Sequence, residues 1–225
     1  MIKENLEKIQ NDIRKYGNDK VRLMAVSKTY PEQAVREAQE AGQILFGENR
    51  AIEARDKFSS VLVHELPYEL HIIGHLQRNK VKEAIKVASM IESIDKLETL
   101  QEIEKQCVKV NKNIDFLIEI NCSLEEQKSG VYPEKFEEFV EQVLNAGFSY
   151  CRLRGVMTVG PLTEDAEKIR KAFSGVRRQF EWLQKKVPGI DVLSMGMSSD
   201  YGIAIDEGST QVRVGSAIFG RRNYN

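Results

Sequence analysis

The sequence predicts an α/β fold: a single-domain (β/α)8 TIM barrel spanning residues 1–225, with an extra N-terminal helix. Three observations predict it. Strand-like and helix-like apolar patterns alternate eight times along the chain. No Asn-Gly or similar two-residue hairpin signal joins consecutive strands, so the strands run parallel. The turn after the first strand, Ser27-Lys28-Thr29-Tyr30, has none of the glycines that an open, dinucleotide-binding sheet carries there. Eight alternations favour closure into a barrel.

Composition sets the class. The chain has 225 residues, 41% hydrophobic and 30% charged, with a formal net charge of -1. That describes a globular protein with no basic excess to draw nucleic acid or a membrane surface. No apolar run approaches the length of a membrane span. The N-terminal stretch MIKENLEKIQNDIRKYG is charged throughout and lacks the apolar region of a signal peptide. Its Ile2, Leu6, Ile9, Ile13 and Tyr16 follow helical spacing, which predicts an amphipathic helix packed on the domain. Cys107, Cys122 and Cys151 are widely spaced and form no CxxC pair, so neither a metal nor redox chemistry is expected and a reduced cytoplasm is the simplest setting.

The first strand is VRLMAVSK, with Met24, Val26 and Lys28 on one face. A helix over 31–41 ends at Gly42. Ile44, Leu45 and Phe46 form a short strand, followed by a helix over 51–58. Further strands are expected at 69–74, 90–94, 114–121, 153–159, 192–196 and 211–214. Helices are expected from the HLQRNK stretch through 88, and over 96–110, 134–145, 164–186 and 198–207. The long run Ile169, Phe173, Val176, Phe180, Leu183 and Val187 could read as a coiled coil, but its few heptads suit packing on the sheet better.

In such a barrel the site lies at the C-terminal ends of the strands. Those ends read Lys28, Asn49, His75 with Gln77, Asp95, Asn121, Met157 with Thr158, Ser198, and Gly215 with Ser216. Lys28 ends an otherwise apolar face. Alone it reads as a lysine reaching solvent, but a lysine there is also placed to form a Schiff base with a carbonyl ligand. The loops after strands 7 and 8, Met195–Asp200 and Val214–Ser216, carry small residues, hydroxyls and backbone amides. Barrels often build a phosphate site from these two loops. Either loop alone is equally well read as a cap at Ser198 and a turn glycine at 215; together they point to phosphate. Arg213 shares the parity of Gly215 and should point inward, either paired with Glu119 or donating to a ligand. His71 falls within a strand pattern without metal-ligand spacing, so a hydrogen-bonded packing role is expected for it. Cys122 and Cys151 are expected as small core residues.

The segments AVSKTYP, LFGENR, HIIGHLQRNK, KSG, RGVMTVGP, LSMGMSSDY and QVRVGSAIFG together resemble the pyridoxal phosphate homeostasis protein family, whose members share the barrel of the alanine racemase N-terminal domain. The resemblance covers nearly the whole chain in order. It implies pyridoxal 5'-phosphate as cofactor, held as an aldimine by Lys28, with Ser198, Gly215 and Ser216 on the phosphate and Arg213 on the ring nitrogen. Asn49 and Met157 would line the pocket. It also implies a monomeric cytoplasmic carrier or regulator that passes the cofactor to apo enzymes, with no catalytic residue of its own. An amino-acid racemase and a Schiff-base aldolase acting on a sugar phosphate are the alternatives, since a fold does not fix an activity. Racemases of this type take a tyrosine base from an additional C-terminal β domain. Here the chain ends soon after the eighth strand, and its terminal Tyr224 is not expected to replace that base.

Overall fold

The strands form where β-branched and aromatic residues cluster, and they close because each presents large apolar side chains on its outer face. The computed structural model describes residues 1–16 and 20–220. In chain order the elements are α1 (Ile2–Lys15), β1 (Arg22–Val26), α2 (Glu32–Glu40), β2 (Leu45–Glu48), α3 (Ala51–Phe58), α4 (Val61–His64), β3 (Glu69–Ile72), α5 (Val81–Val87) and β4 (Met90–Ile94). The second half adds α6 (Leu97–Val110), β5 (Ile114–Ile120), α7 (Phe136–Asn145), β6 (Cys151–Thr158), α8 (Ala166–Lys186), β7 (Val192–Ser194), α9 (Tyr201–Asp206), β8 (Gln211–Val214) and α10 (Ser216–Phe219). The eight strands pair in sequence order, and β8 pairs back onto β1 with Met24 beside Arg213, closing the barrel. Every pairing is parallel.

The main core lies between the barrel and its helices. Ala25, Phe46, Leu70, Ile91, Phe116, Val156, Leu193 and Val212 face outward into one apolar cluster with Val35, Phe58, Ile103, Val140 and Phe173 from the helices. By strand alternation their neighbours point into the barrel. Two small apolar clusters stand inside, Met24, Val26 and Leu45 on one side and Met90, Leu117, Met157 and Val192 on the other. The remaining interior is polar, which makes this barrel's inner layer unlike its outer one.

Helix α1 buries Leu6, Ile9 and Ile13. Its Asn5 amide donates to Ile218 O at 2.9 Å, joining α1 to α10. Tyr16, expected on the same apolar stripe, is 43% exposed. Helix α8 is capped by Asp165, whose carboxylate accepts from the amides of Glu167 and Lys168, and its apolar run packs on the barrel rather than on a second helix.

Element boundaries differ from expectation in three places that bear on the site. The helix at Val61–His64 is a single turn with too few residues to show periodicity. Strand β7 stops at Ser194, two residues early, because Gly196 takes a φ of +95° that only glycine adopts easily. Helix α9 starts at Tyr201 with Asp200 at its N-cap, not at Ser198. Cys107 and Cys151 are buried core thiols as expected of the latter, while Cys122 is half-buried.

Candidate functional site

Lys28, expected to end the first strand, instead sits two residues beyond the end of β1, half-buried in a turn where strand alternation no longer applies. The residue before it anchors the loop. Ser27 is fully buried, and its hydroxyl donates to Glu48 Oε1 at 2.7 Å. Lys57 from α3 donates to Ser27 O at 2.8 Å and to Glu48 Oε1 at 2.7 Å. Burial pushes the Glu48 carboxyl above its usual value, against the pull of Lys57. On the other side of Lys28 the Thr29 amide donates to Glu53 Oε1 at 2.6 Å, with Thr29 at a φ of +69°. The backbone that carries Lys28 is therefore pinned on both sides by one buried charge cluster. Sequence reasoning missed this cluster. The charges at 48 and 57 signal it only when the second strand and the helix after it are laid side by side.

Asn49 follows β2 directly and is half-buried. Gly74 lets it lie close to the next loop, since a Cβ at 74 would stand 2.5 Å from Asn49 O. A cavity of about 540 Å³ opens beside it, lined by Asn49, Arg50, Glu53, His75, Gln77 and Lys80.

Met157 reaches the interior through a bulge. The register of β6 on β5 shifts between Phe116 opposite Leu153 and Leu117 opposite Gly155, so one residue is extra. Without it, strict alternation from Arg152 would turn Val156 inward and Met157 outward. With it, Met157 is buried against Met90, Leu117 and Val192.

Ser198 and the pair Gly215–Ser216 follow β7 and β8, which are neighbours in the barrel and adjoin β1. Ser198 and Ser216 are exposed, and neither hydroxyl makes a hydrogen bond among the described residues. Met197 N donates to the Asp200 carboxylate, which leaves the amides of Ser198 and Ser199 without an acceptor among those residues. The first amides of α10 lack intrahelical acceptors, as at every helix start.

Arg213 is 4% exposed and points into the barrel. Its Nη1 donates to Ser194 O and to Ser194 Oγ, both at 2.8 Å, and its Nη2 donates to Thr158 O at 2.6 Å. The Glu119 alternative is corrected here: the two form no hydrogen bond or ion pair, and the guanidinium donates instead to Ser194 and Thr158. Below Arg213 a polar chain descends the barrel. Ser194 Oγ donates to Glu92 Oε2 at 2.7 Å, and Gln211 Nε2 donates to Glu92 Oε1 at 2.7 Å. His71 lies between Glu92, at 2.5 Å, and Glu69, at 2.8 Å, and Glu69 pairs with Arg22 at the opposite end. Burial opposes charge on His71, but its bonds to Glu69 and then Glu92 outweigh that and raise its pKa. Burial likewise opposes charge on Glu92, yet His71 and then Arg213 hold it below its usual value. His71 thus has the hydrogen-bonded packing role expected of it. Glu92, Ser194 and Gln211 were not foreseen. Glu92 stands out only as a charge inside an otherwise apolar strand.

Near the mouth, Glu119 is 9% exposed, and its carboxyl makes no hydrogen bond or ion pair among the described residues. Burial, and then the charge of Asp95, push its pKa up to about 7, against the pull of Arg213. The described residues contain no group of three or more His, Cys, Asp or Glu side chains arranged to hold a metal. No described helix is long and apolar enough to cross a membrane. Tyr224 lies outside the described residues.

The alanine racemase N-terminal domain family matches residues 1–223. The pyridoxal phosphate homeostasis protein of Pasteurella multocida (strain Pm70) is 36% identical over 232 residues, covering 100% of this chain and 99% of that protein. The chain belongs to the pyridoxal phosphate homeostasis protein family. The structure of PipY, the COG0325 family member of Synechococcus elongatus PCC7942, with PLP bound is 30% identical, with a TM-score of 0.86, covering 98% of this chain and 100% of that one. Alanine racemase of Clostridium difficile 630 shares the fold at 19% identity and a TM-score of 0.74, over 97% of this chain and 56% of that chain. For a family member, the mouth of this barrel holds a coherent donor set: the amine of Lys28, a fixed guanidinium, and hydroxyls and amides without internal acceptors on two adjoining loops. These groups fit a small ligand that carries both a carbonyl and a phosphate.

Proposed function

We propose that this chain binds pyridoxal 5'-phosphate at the C-terminal mouth of the barrel and acts in its homeostasis as a single-domain carrier or regulator, without committed catalysis. The observation that carries the reading is the placement, at the ends of three adjoining strands, β7, β8 and β1, of the Ser198 and Ser216 hydroxyls, unbonded among the described residues, the buried Arg213 and the half-buried Lys28. The names of the relatives and the PLP-bound PipY structure support it.

Pyridoxal phosphate, when bound, supplies an aldehyde that condenses with a primary amine. Lys28 offers that amine, on a backbone that Ser27, Glu48 and Lys57 keep from moving. Ser198, Gly215 and Ser216 accept the phosphate through hydroxyls and amides. Arg213 would face the ring nitrogen and, as a permanent cation, would disfavour a proton there. Asn49 and Met157 bound the ring, Met157 as part of the apolar floor. Because Ser198 and Ser216 are exposed, water and competing amines reach the mouth, which suits a protein that gives its ligand up to apo enzymes. The chain is proposed to do this as a monomer.

Reduction with borohydride in the presence of pyridoxal phosphate, followed by peptide mapping, tests the reading. The pyridoxyl group is expected on Lys28, and Lys28→Ala is expected to lose it while retaining weaker, non-covalent binding. Label on a different lysine, or no absorption band of bound cofactor after reconstitution, overturns it.

A further inference from the structure

Arg213 is contested by carboxyl groups on two sides. Below it, Glu92 is fully buried and reaches it through Ser194 Oγ, which accepts from Arg213 and donates to Glu92. Gln211 Nε2 reinforces this by donating to Glu92 and, at 3.2 Å, to Ser194 Oγ. At the mouth, Asp200 and Glu119 also act on Arg213, as does Cys122 more weakly. Asp200 is occupied, since it accepts from the Met197 amide. Glu119 is not, and a carboxyl that is nine-tenths buried without a partner would gain from the guanidinium. Charges along the lower chain alternate in sign from Arg22 through Glu69, His71 and Glu92 to Arg213, so removal of one member unbalances the rest.

We propose that Glu92, acting through Ser194 and Gln211, is the positioning residue that holds Arg213 down the barrel axis against the competing pull of Glu119, and so sets the arginine against the cofactor's ring nitrogen. This rests on the reading that Arg213 faces that nitrogen. With Glu92 uncharged, the Ser194 and Thr158 carbonyls alone hold the guanidinium from below, and it shifts toward Glu119 and away from the ring. Glu119 is then the reason a buried Glu92–His71–Glu69 chain is needed at all, since packing alone would be served by apolar side chains.

The test uses the full chain loaded with pyridoxal phosphate labelled with ¹⁵N in the ring. Its readouts are the pyridine ¹⁵N chemical shift and the equilibrium affinity for the cofactor. Glu92→Gln is expected to move the shift toward that of the Arg213→Gln protein and to weaken binding about tenfold, the size of one charge-assisted hydrogen bond. Adding Glu119→Gln to Glu92→Gln is expected to bring the shift back toward wild type, a rescue that a merely structural defect would not show. A wild-type shift in Glu92→Gln, with Arg213→Gln displaced, overturns the proposal. So does a Glu92→Gln/Glu119→Gln protein that stays displaced. A wild-type shift in Arg213→Gln instead overturns the ring-nitrogen reading of Arg213, separately from the role of Glu92. If Glu92→Gln does not fold, Ser194→Ala cuts the same link without changing any charge and is read by the same outcomes.

Discussion

A Cβ placed on Gly155 would stand 1.8 Å from the carbonyl oxygen of Val192. The two strands approach this closely at the bulge, where β6 takes its extra residue and turns Met157 into the barrel. The obstacle is backbone, so no side-chain rotation relieves it. Gly155→Ala is expected to destabilise the fold by at least about 3 kcal/mol, at the high end for one substitution. Urea unfolding measures this, and a loss below about 1 kcal/mol would contradict the geometry.

The phosphate assignment predicts a graded loss. Ser198→Ala or Ser216→Ala removes a hydroxyl but leaves the loop amides, so binding should weaken rather than vanish. One charge-assisted hydrogen bond is worth about 1.5–3 kcal/mol, on the order of ten- to a hundredfold in affinity. Because neither hydroxyl has a partner among the described residues, thermal stability of the cofactor-free protein should not change. Unaltered affinity for pyridoxal phosphate in the Ser198→Ala/Ser216→Ala protein would place the phosphate elsewhere.

Glu119 makes stability depend on pH in a stated direction. Its folded-state pKa, about 7, lies above the ordinary value of 4.5, so the folded chain binds more protons than the unfolded one between those values. Stability from this group therefore falls as pH rises from about 4.5 to 7 and is flat above that window. The shift corresponds to a loss on the order of 3 kcal/mol. The carboxyls of Glu69, held down to about 2 by His71 and Arg22, and of Glu92 slope the other way at lower pH, so the comparison is with Glu119→Gln. That variant should lose the fall between pH 4.5 and 7 and gain stability at pH 7.5. A parallel pair of stability–pH curves would refute the assignment.

Turnover is expected to be negligible. An arginine at the ring nitrogen keeps the ring a poor electron sink, so a carbanion gains little stabilisation there. The proposed reading assigns no second base opposite Lys28, and a missing base costs about 10²–10⁴-fold. Exchange of the α-proton of amino acids in deuterated water, with Lys28→Ala as control, measures it. Lys28-dependent exchange at roughly 1 per second or faster, the range of ordinary enzymes, would replace the carrier by an enzyme.

Much of this protein is fixed by local pattern. The alternation of period-two and period-3.6 runs specifies eight strands and their helices, because each element must bury one face and a parallel strand needs a crossover. Parity along β8 places Arg213 inward, whereas Lys28 lies in a turn beyond β1 that strand parity does not govern; Asn49, Ser198, Gly215 and Ser216 lie on the loops after β2, β7 and β8. The tertiary structure decided what depends on neighbours distant in sequence. Met157 faces inward because of a bulge whose cause is the approach of Gly155 to Val192, and no alternation within one strand reveals a register shift between two. Helix α9 starts at Tyr201 with Asp200, not Ser198, in the N-cap position, and the Asp200 carboxylate turns back to the Met197 amide. Arg213 bonds Ser194 and Thr158 rather than Glu119, a choice among acceptors on different strands that no single strand's pattern reveals. Sequence carries the sign and parity of each charge, but burial and pairing, which determine its energy, exist only once the barrel closes.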